Sequence, residues 1–308
     1  MALPSTQTVW PPHPGGPLRY KADSRFGADG LPAGAWFGRV SAVIEAPDDT
    51  IVVFHRGPSI DPIVILDRDG KFVRSWDAGI GLAHGMRLTE DGNLWLTDTT
   101  RHRVLKTTLA GEVLLELGTP DVKGTDERTF NAPTDVAVAP DGSIYVSDGY
   151  GNCRVVRFDP DGGYLGTWGK PGTAPSEFDT PHSIRVAPDG LVWVSDRENH
   201  RIQRFDTEGR YVDAWTHLGA TQCLEFAGDE LWVVTHRDIG EVLGWDSLAA
   251  RLMRIDPATG DVLASVPLDG HWVHRGPSGD LWVGGLNGTV IRLRPFWPAE
   301  LTELEPAR

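Results

Sequence analysis

Three histidines, His84, His182 and His271, stand at the same phase of alternate copies of a repeated segment. Three imidazoles around one point leave a fourth position for water or substrate, the pattern of catalytic rather than structural zinc. Residue type alone also admits iron, cobalt or manganese. One histidine beside a channel is more often a solvated polar residue. Three at equal phase make a divalent transition-metal centre the stronger expectation. His274 follows three residues after His271, and that spacing puts it on the other side of the strand, leaving His271 as the better ligand.

The elements that must hold these residues are short strands. His84 opens HGMRLTEDGNLWLTD, Thr134 opens TDVAVAPDGSIYVSD and His182 opens HSIRVAPDGLVWVSD. Weaker copies open at Ser41, Thr221 and His271, each placed by counting back twelve residues from the end of its apolar triplet. Successive starts are 39 to 50 residues apart, the spacing of propeller blades rather than of separate domains. Each copy alternates apolar residues, turns at an Asp-Gly or similar pair, and continues into a β-branched and aromatic run. Third and fourth strands follow, such as IQRFD and YVDAW. Four strands per copy and six copies predict an all-β, six-bladed β-propeller over residues 41–295. First strands line the channel of such a fold. Position one of the repeat therefore forms a ring of Ser41, His84, Thr134, His182, Thr221 and His271, with the histidines about 120° apart. The Pro- and Gly-rich segment 1–40 is expected to be irregular, with part of it completing the last blade, and 296–308 forms a tail.

Composition narrows the function class. The formal charge of −14 disfavours nucleic acid and anionic membranes as partners; the partner expected of the histidine centre is a small-molecule substrate. No run of twenty apolar residues occurs, and the opening MALPSTQTVWPPHPGG has neither a basic nor an apolar leader region, which reads as cytoplasmic. Cys153 and Cys223 fall in different blades, so no structural disulfide is expected.

Position one shares its end of the fold with the loops that join second to third strands. Those loops repeat an Asp and an Arg (Asp98 with Arg103, Asp148 with Arg154, Asp196 with Arg201), and recurrence argues for a role in fixing the loop. Residues that do not recur are the functional candidates. Arg56 follows the second strand of the first blade, and Tyr150 lies in the third-blade loop DGYGNCR. His236 and Asp238 begin an insertion, roughly residues 235–251, long enough to cover the channel mouth. Trp272 and His274 flank the third histidine as further candidates for contact with substrate.

The run PTDVAVAPDGSIYVSDGYGNCRVVRF, followed by PHSIRVAPDGLVWVSDRENHRIQRF, resembles peptidyl-α-hydroxyglycine α-amidating lyase within the broader NHL-type propellers. The likeness extends from Phe54 to Gly284 and is densest between Ala83 and Phe205. The resemblance implies a catalytic zinc held by His84, His182 and His271, a tyrosine base at Tyr150, and a site-lining arginine at Arg56. It departs from the family at Gly270 and Trp272, where animal members carry a proline and an aspartate linked to structural calcium, so a calcium site does not carry over. Asn131 and Gly151 likewise stand where the family has disulfide cysteines.

The expected activity is that of a metal-dependent lyase acting on a small hydroxylated, carbinolamide-like substrate. In that scheme the metal polarises a substrate oxygen, Tyr150 moves the proton and Arg56 orients a carboxylate or carbonyl. Two alternatives stand beside it. One is metal-dependent hydrolysis of a lactone or ester; the other is a non-catalytic NHL propeller that binds a protein or peptide.

Overall fold

A computed structural model describes residues 9–13, 16–236 and 250–296. Six antiparallel sheets stand around a central channel, and their first strands are Val40–Glu45, Ala83–Leu88, Asp135–Val138, Pro181–Val186, Thr221–Ala227 and Trp272–Arg275. Five sheets take their four strands in chain order. The sixth is built from both ends of the chain: Gly16–Asp23 pairs antiparallel with Thr289–Phe296, and Val9–His13 pairs with Gly16–Asp23. This pairing closes the ring, because the strand Leu281–Gly285 and the first strand of blade six then face blade one from a sheet that includes N-terminal residues. The only helix among the described residues is a single 3-10 turn at Ala28–Gly30, and no described helix is long and apolar enough to cross a membrane.

Turn chemistry sets the first hairpin of each blade. In Ala139–Ser143 the Ala139 N–H bonds Ser143 O (2.8 Å), the Gly142 N–H bonds Ala139 O (2.9 Å), and Gly142 sits at φ 85°. Only glycine adopts that φ without strain, while the Asp141 carboxylate accepts the Ser143 N–H (2.9 Å). The same pattern recurs at Asp91-Gly92 and Asp189-Gly190. Between blades, the triplet aromatics Trp95, Tyr145, Trp193, Trp232 and Trp282 are fully buried. Burying each large ring stabilises blade packing by about 3 kcal/mol or more, which explains an aromatic at that place in five of the six repeats, blade one carrying Val52 there.

Blade five corrects the register read from the sequence. Thr221 pairs with Thr235 as Val40 pairs with His55, Ala83 with Asp98 and Pro181 with Asp196. The ring position in that blade is therefore Gln222, not Thr221. Its hairpin is shorter, with Ala227 paired to Glu230 across the two residues Gly228 and Asp229, so counting back from the apolar triplet overshoots by one. In blades one, two, four and five the register shifts at the ring position itself, between Val40 and Ala42, Ala83 and Met86, Pro181 and Ser183, and Thr221 and Cys223. A bulge of this kind re-aims one side chain out of the alternating pattern. Here it brings the ring residue to the channel.

Candidate metal centre

The bulges at His84 and His182, and the start of the first strand of blade six next to His271, bring the three histidines together, each no more than 2% exposed. Their ring centroids lie 4.8, 4.8 and 5.1 Å apart. One nitrogen of each ring is committed to the following blade. His84 Nδ1 meets Thr134 O at 2.6 Å, His182 Nδ1 meets Gln222 O at 2.8 Å, and His271 Nδ1 meets Ser41 O at 2.7 Å. A carbonyl oxygen only accepts, so each Nδ1 carries the proton and each Nε2 presents a lone pair. Burial drives all three pKa values down, His84 and His182 well below 6.5 and His271 to about 3. Mutual repulsion and the Arg56 and Arg197 charges act in the same direction. The rings are therefore neutral, the form that binds a metal.

The potential ligand atoms of the three histidines lie within 4.8 Å of one another. Among the described residues, one hydrogen-bond donor reaches their Nε2 atoms. Tyr150 Oη lies 2.9 Å from His84 Nε2 and 3.1 Å from His182 Nε2, whereas His271 Nε2 is buried without a partner. Three buried Nε2 acceptors share the single Tyr150 hydroxyl hydrogen, so at least two lone pairs are left without a donor. A divalent cation fits that donor set, and the three Nε2 atoms would hold it.

Two arginines border the centre. Arg56 Nε donates to Ser41 Oγ (2.8 Å) and Ala83 O (2.9 Å), and its Nη2 is buried without a partner. It thus reaches from the ring position of blade one to the residue before His84. Arg197 Nη1 donates to Gln222 Oε1 (3.2 Å), and its guanidinium carbon lies 5.6 Å from the Tyr150 ring centroid. Arg197 and Gln222 escaped the sequence reading. The rule that non-recurring loop residues are candidates would have found Arg197, since blades two and three carry Thr99 and Gly149 at that place. Gln222 was hidden by the one-residue register error.

The other candidates lie apart from the histidines or outside the described residues. Trp272 is buried in the channel with the Arg87 guanidinium on its ring at 3.7 Å, so it is not offered at the mouth. His274 does not turn away from the channel: it lines a cavity of about 210 Å³ with Arg87, Arg185 and Glu225, and its Nδ1 meets Glu225 Oε1 at 2.7 Å. A strand that lines a channel with its edge presents residues three apart at two depths, not on two faces. His236 is exposed, its N–H bonded to Ala220 O at 2.7 Å. Asp238 and most of the 235–251 insertion lie outside the described residues. The recurring loop pairs bond internally, Arg103 to Asp98 at 3.3 Å, Arg154 to Asp148 at 2.9 Å and Arg201 to Asp196 at 2.7 Å. Cys153 and Cys223 are free thiols.

Residues 130–158 and 178–205 match the NHL repeat family model. The peptidyl-glycine alpha-amidating monooxygenase B of Xenopus laevis is 29% identical over 299 residues, covering 82% of this chain and 33% of that protein. A probable peptidyl-alpha-hydroxyglycine alpha-amidating lyase of Caenorhabditis elegans is 33% identical over 151 residues, 42% of this chain and 43% of its own length. The chain spans a third or less of the first curated relatives it matches. Among solved structures, virginiamycin B lyase from Staphylococcus aureus shares the fold with a TM-score of 0.61 at 14% identity, over 90% of this chain and 99% of that one. The chain is an NHL-repeat, six-bladed β-propeller with relatives among the peptidyl-α-hydroxyglycine α-amidating lyases and a three-histidine group in its channel.

Proposed function

We propose that this propeller is a metal-dependent lyase that cleaves the C–N bond of a small α-hydroxylated amide, with zinc as the first candidate metal. The observation that carries the reading is the set of three neutral, convergent Nε2 acceptors with Tyr150 Oη at their open side. When bound, the cation would supply Lewis acidity to a substrate oxygen. The chain's own residues account for the rest. The Arg56 guanidinium, with Nη2 unpartnered beside the centre, orients a substrate carboxylate or carbonyl. Arg197 adds a second positive charge over the Tyr150 ring, which suits an anionic substrate in a chain of net charge −14. In the cleavage, the substrate hydroxyl loses its proton as the C=O bond forms, the C–N electrons pass to nitrogen, and nitrogen gains a proton. Tyr150 Oη is the group placed to take and return that proton. The two free thiols fit a cytoplasmic, reducing setting.

The first test is metal content by elemental mass spectrometry on wild type and His182→Ala. About one transition metal per chain, absent from the variant, is the expected result. Incubation with an N-acyl-α-hydroxyglycine should then release the amide and glyoxylate in equal amounts. Turnover of lactones or esters instead would assign a hydrolase. If wild type gains no more metal than the variant when zinc is added, the enzymatic reading fails and a binding propeller remains.

A further inference from the structure

Directly beneath the imidazoles the channel carries a second layer, made of charged residues from five blades. Arg87 of blade two donates Nη2 to Asp135 Oδ2 of blade three at 2.5 Å, and its Nη1 lies 3.7 Å from Glu225 of blade five. Arg185 of blade four donates Nη2 to the same Glu225 oxygen at 2.7 Å and lies 3.5 Å from Asp135. Blade six contributes His274, bonded to Glu225, and the Trp272 ring that the Arg87 guanidinium covers at 3.7 Å. Asp135 is 1% exposed and also accepts from Ser183 Oγ (3.0 Å) and the Ile184 N–H (3.2 Å).

The residues that follow the three histidines all meet this layer. A Cβ on Gly85 would stand 2.8 Å from Asp135 Oδ1, so glycine after His84 is what lets the carboxylate approach. Ser183, after His182, donates to Asp135, and Trp272, after His271, lies under Arg87. The acceptor of the His84 Nδ1 proton, Thr134 O, belongs to the residue before Asp135. One ion pair thus touches the chain beside every ligand.

We infer that Arg87, paired with Asp135, is the channel's own axial cation: it positions the three histidines and stands where a second, structural metal would need to sit. The resemblance to the amidating lyases compares Trp272 with a calcium-linked aspartate. The residues present do not fit calcium, which needs six to eight oxygens. An indole face is turned to the layer, and the carboxylates of Asp135 and Glu225 are already engaged by Arg87, Arg185 and His274. Arg87, Asp135 and Trp272 are positioning residues, and the propeller is a one-metal protein.

The positioning part rests on the three-histidine metal reading; the exclusion of calcium does not. The test measures bound metal and thermal unfolding of the full chain, with zinc and calcium chloride as the probes. Wild type should hold about one zinc and no calcium per chain, and millimolar calcium should leave its Tm unchanged. Arg87→Ala leaves two buried carboxylates short of a cation. Its Tm should fall by about 10 °C, its zinc affinity by roughly 10–100-fold, and added calcium should now raise its Tm. Arg87→Lys keeps a charge but loses the planar fork; it should fold and bind zinc about tenfold more weakly. A calcium equivalent in wild type overturns the axial-cation assignment, and undiminished zinc affinity in Arg87→Lys overturns the positioning role. A wild type that binds no zinc would instead sink the metal reading, with the calcium result still standing on its own.

Discussion

Acid should unfold the metal-free protein through its channel histidines, and His271 allows the effect to be sized. Its ring is buried, its Nδ1 proton is spent on Ser41 O, and its pKa falls from 6.5 to about 3. The unfolded chain takes up a proton below 6.5 that the folded chain refuses, so the unfolded state binds more protons and stability falls as pH falls. The window runs from 6.5 down to about 3. Between about pH 7 and about pH 5 this one imidazole costs about 2 kcal/mol, against a total stability on the order of 5–15 kcal/mol. With a urea slope of about 3 kcal/mol per molar, the midpoint moves by about 0.7 M. The assay is urea unfolding followed by tryptophan fluorescence, on wild type and His271→Gln, after metal removal, at both pH values. Each protein will differ at neutral pH for packing reasons. The quantity of interest is the change between the two pH values, which should be smaller by about 2 kcal/mol in the glutamine variant. Equal pH losses in both proteins would refute the claim that His271 is held neutral in the fold.

Other expectations follow from single contacts. Tyr150→Phe should keep its metal and lose turnover by roughly 10²–10⁴-fold, read by comparing zinc content with kcat, because the proton-moving oxygen is removed and the ligands are not. Asp148→Ala should destabilise by about 3–5 kcal/mol in calorimetry, since it leaves the buried Arg154 Nε without its carboxylate at 2.9 Å. Removing residues 1–23 should lower Tm by more than about 10 °C and promote association in light scattering, because Thr289–Phe296 would become an open sheet edge. Gln222→Ala should raise KM more than it lowers kcat, by freeing Arg197 from its 3.2 Å contact while the histidines keep their ligand geometry.

What could be read from the sequence was whatever the repeat expresses as a pattern. Period-2 runs, Asp-Gly or similar turns and the triplet aromatic of five blades are local, and they give the blade count and the phase of His84, His182 and His271. Phase failed by one residue in blade five, where a shorter hairpin replaced the usual turn, and with it went Gln222. Tyr150 and Arg56 were reachable as departures from the repeat, and both lie at the centre. The charged layer was not reachable. Arg87, Asp135, Arg185 and Glu225 come from four blades, and nothing in their local sequences says that their side chains meet on one axis. His274 was misplaced for a related reason: alternation predicts faces of a sheet, but a first strand meets the channel by its edge.

The alternation of histidine with other residues around the ring has a physical reason beyond spacing. Every ligand ring gives its Nδ1 proton to a backbone carbonyl of the next blade: Thr134 O, Gln222 O and Ser41 O. Blades two, four and six supply imidazoles, and blades three, five and one supply the acceptors that fix their tautomer. A fourth imidazole at an acceptor position would have to share the channel with a neighbouring ring already about 5 Å from its partners. Crowding and the desolvation of a further polar ring would both oppose it. The acceptors are main-chain atoms, so the side chains of the odd blades are free for other work, and they have it. Ser41 Oγ accepts from Arg56, Gln222 holds Arg197, and Thr134 Oγ1 bonds Pro181 O at 2.7 Å beside His182. A sixfold scaffold thereby carries a threefold ligand set, with the intervening blades holding the charges that face it.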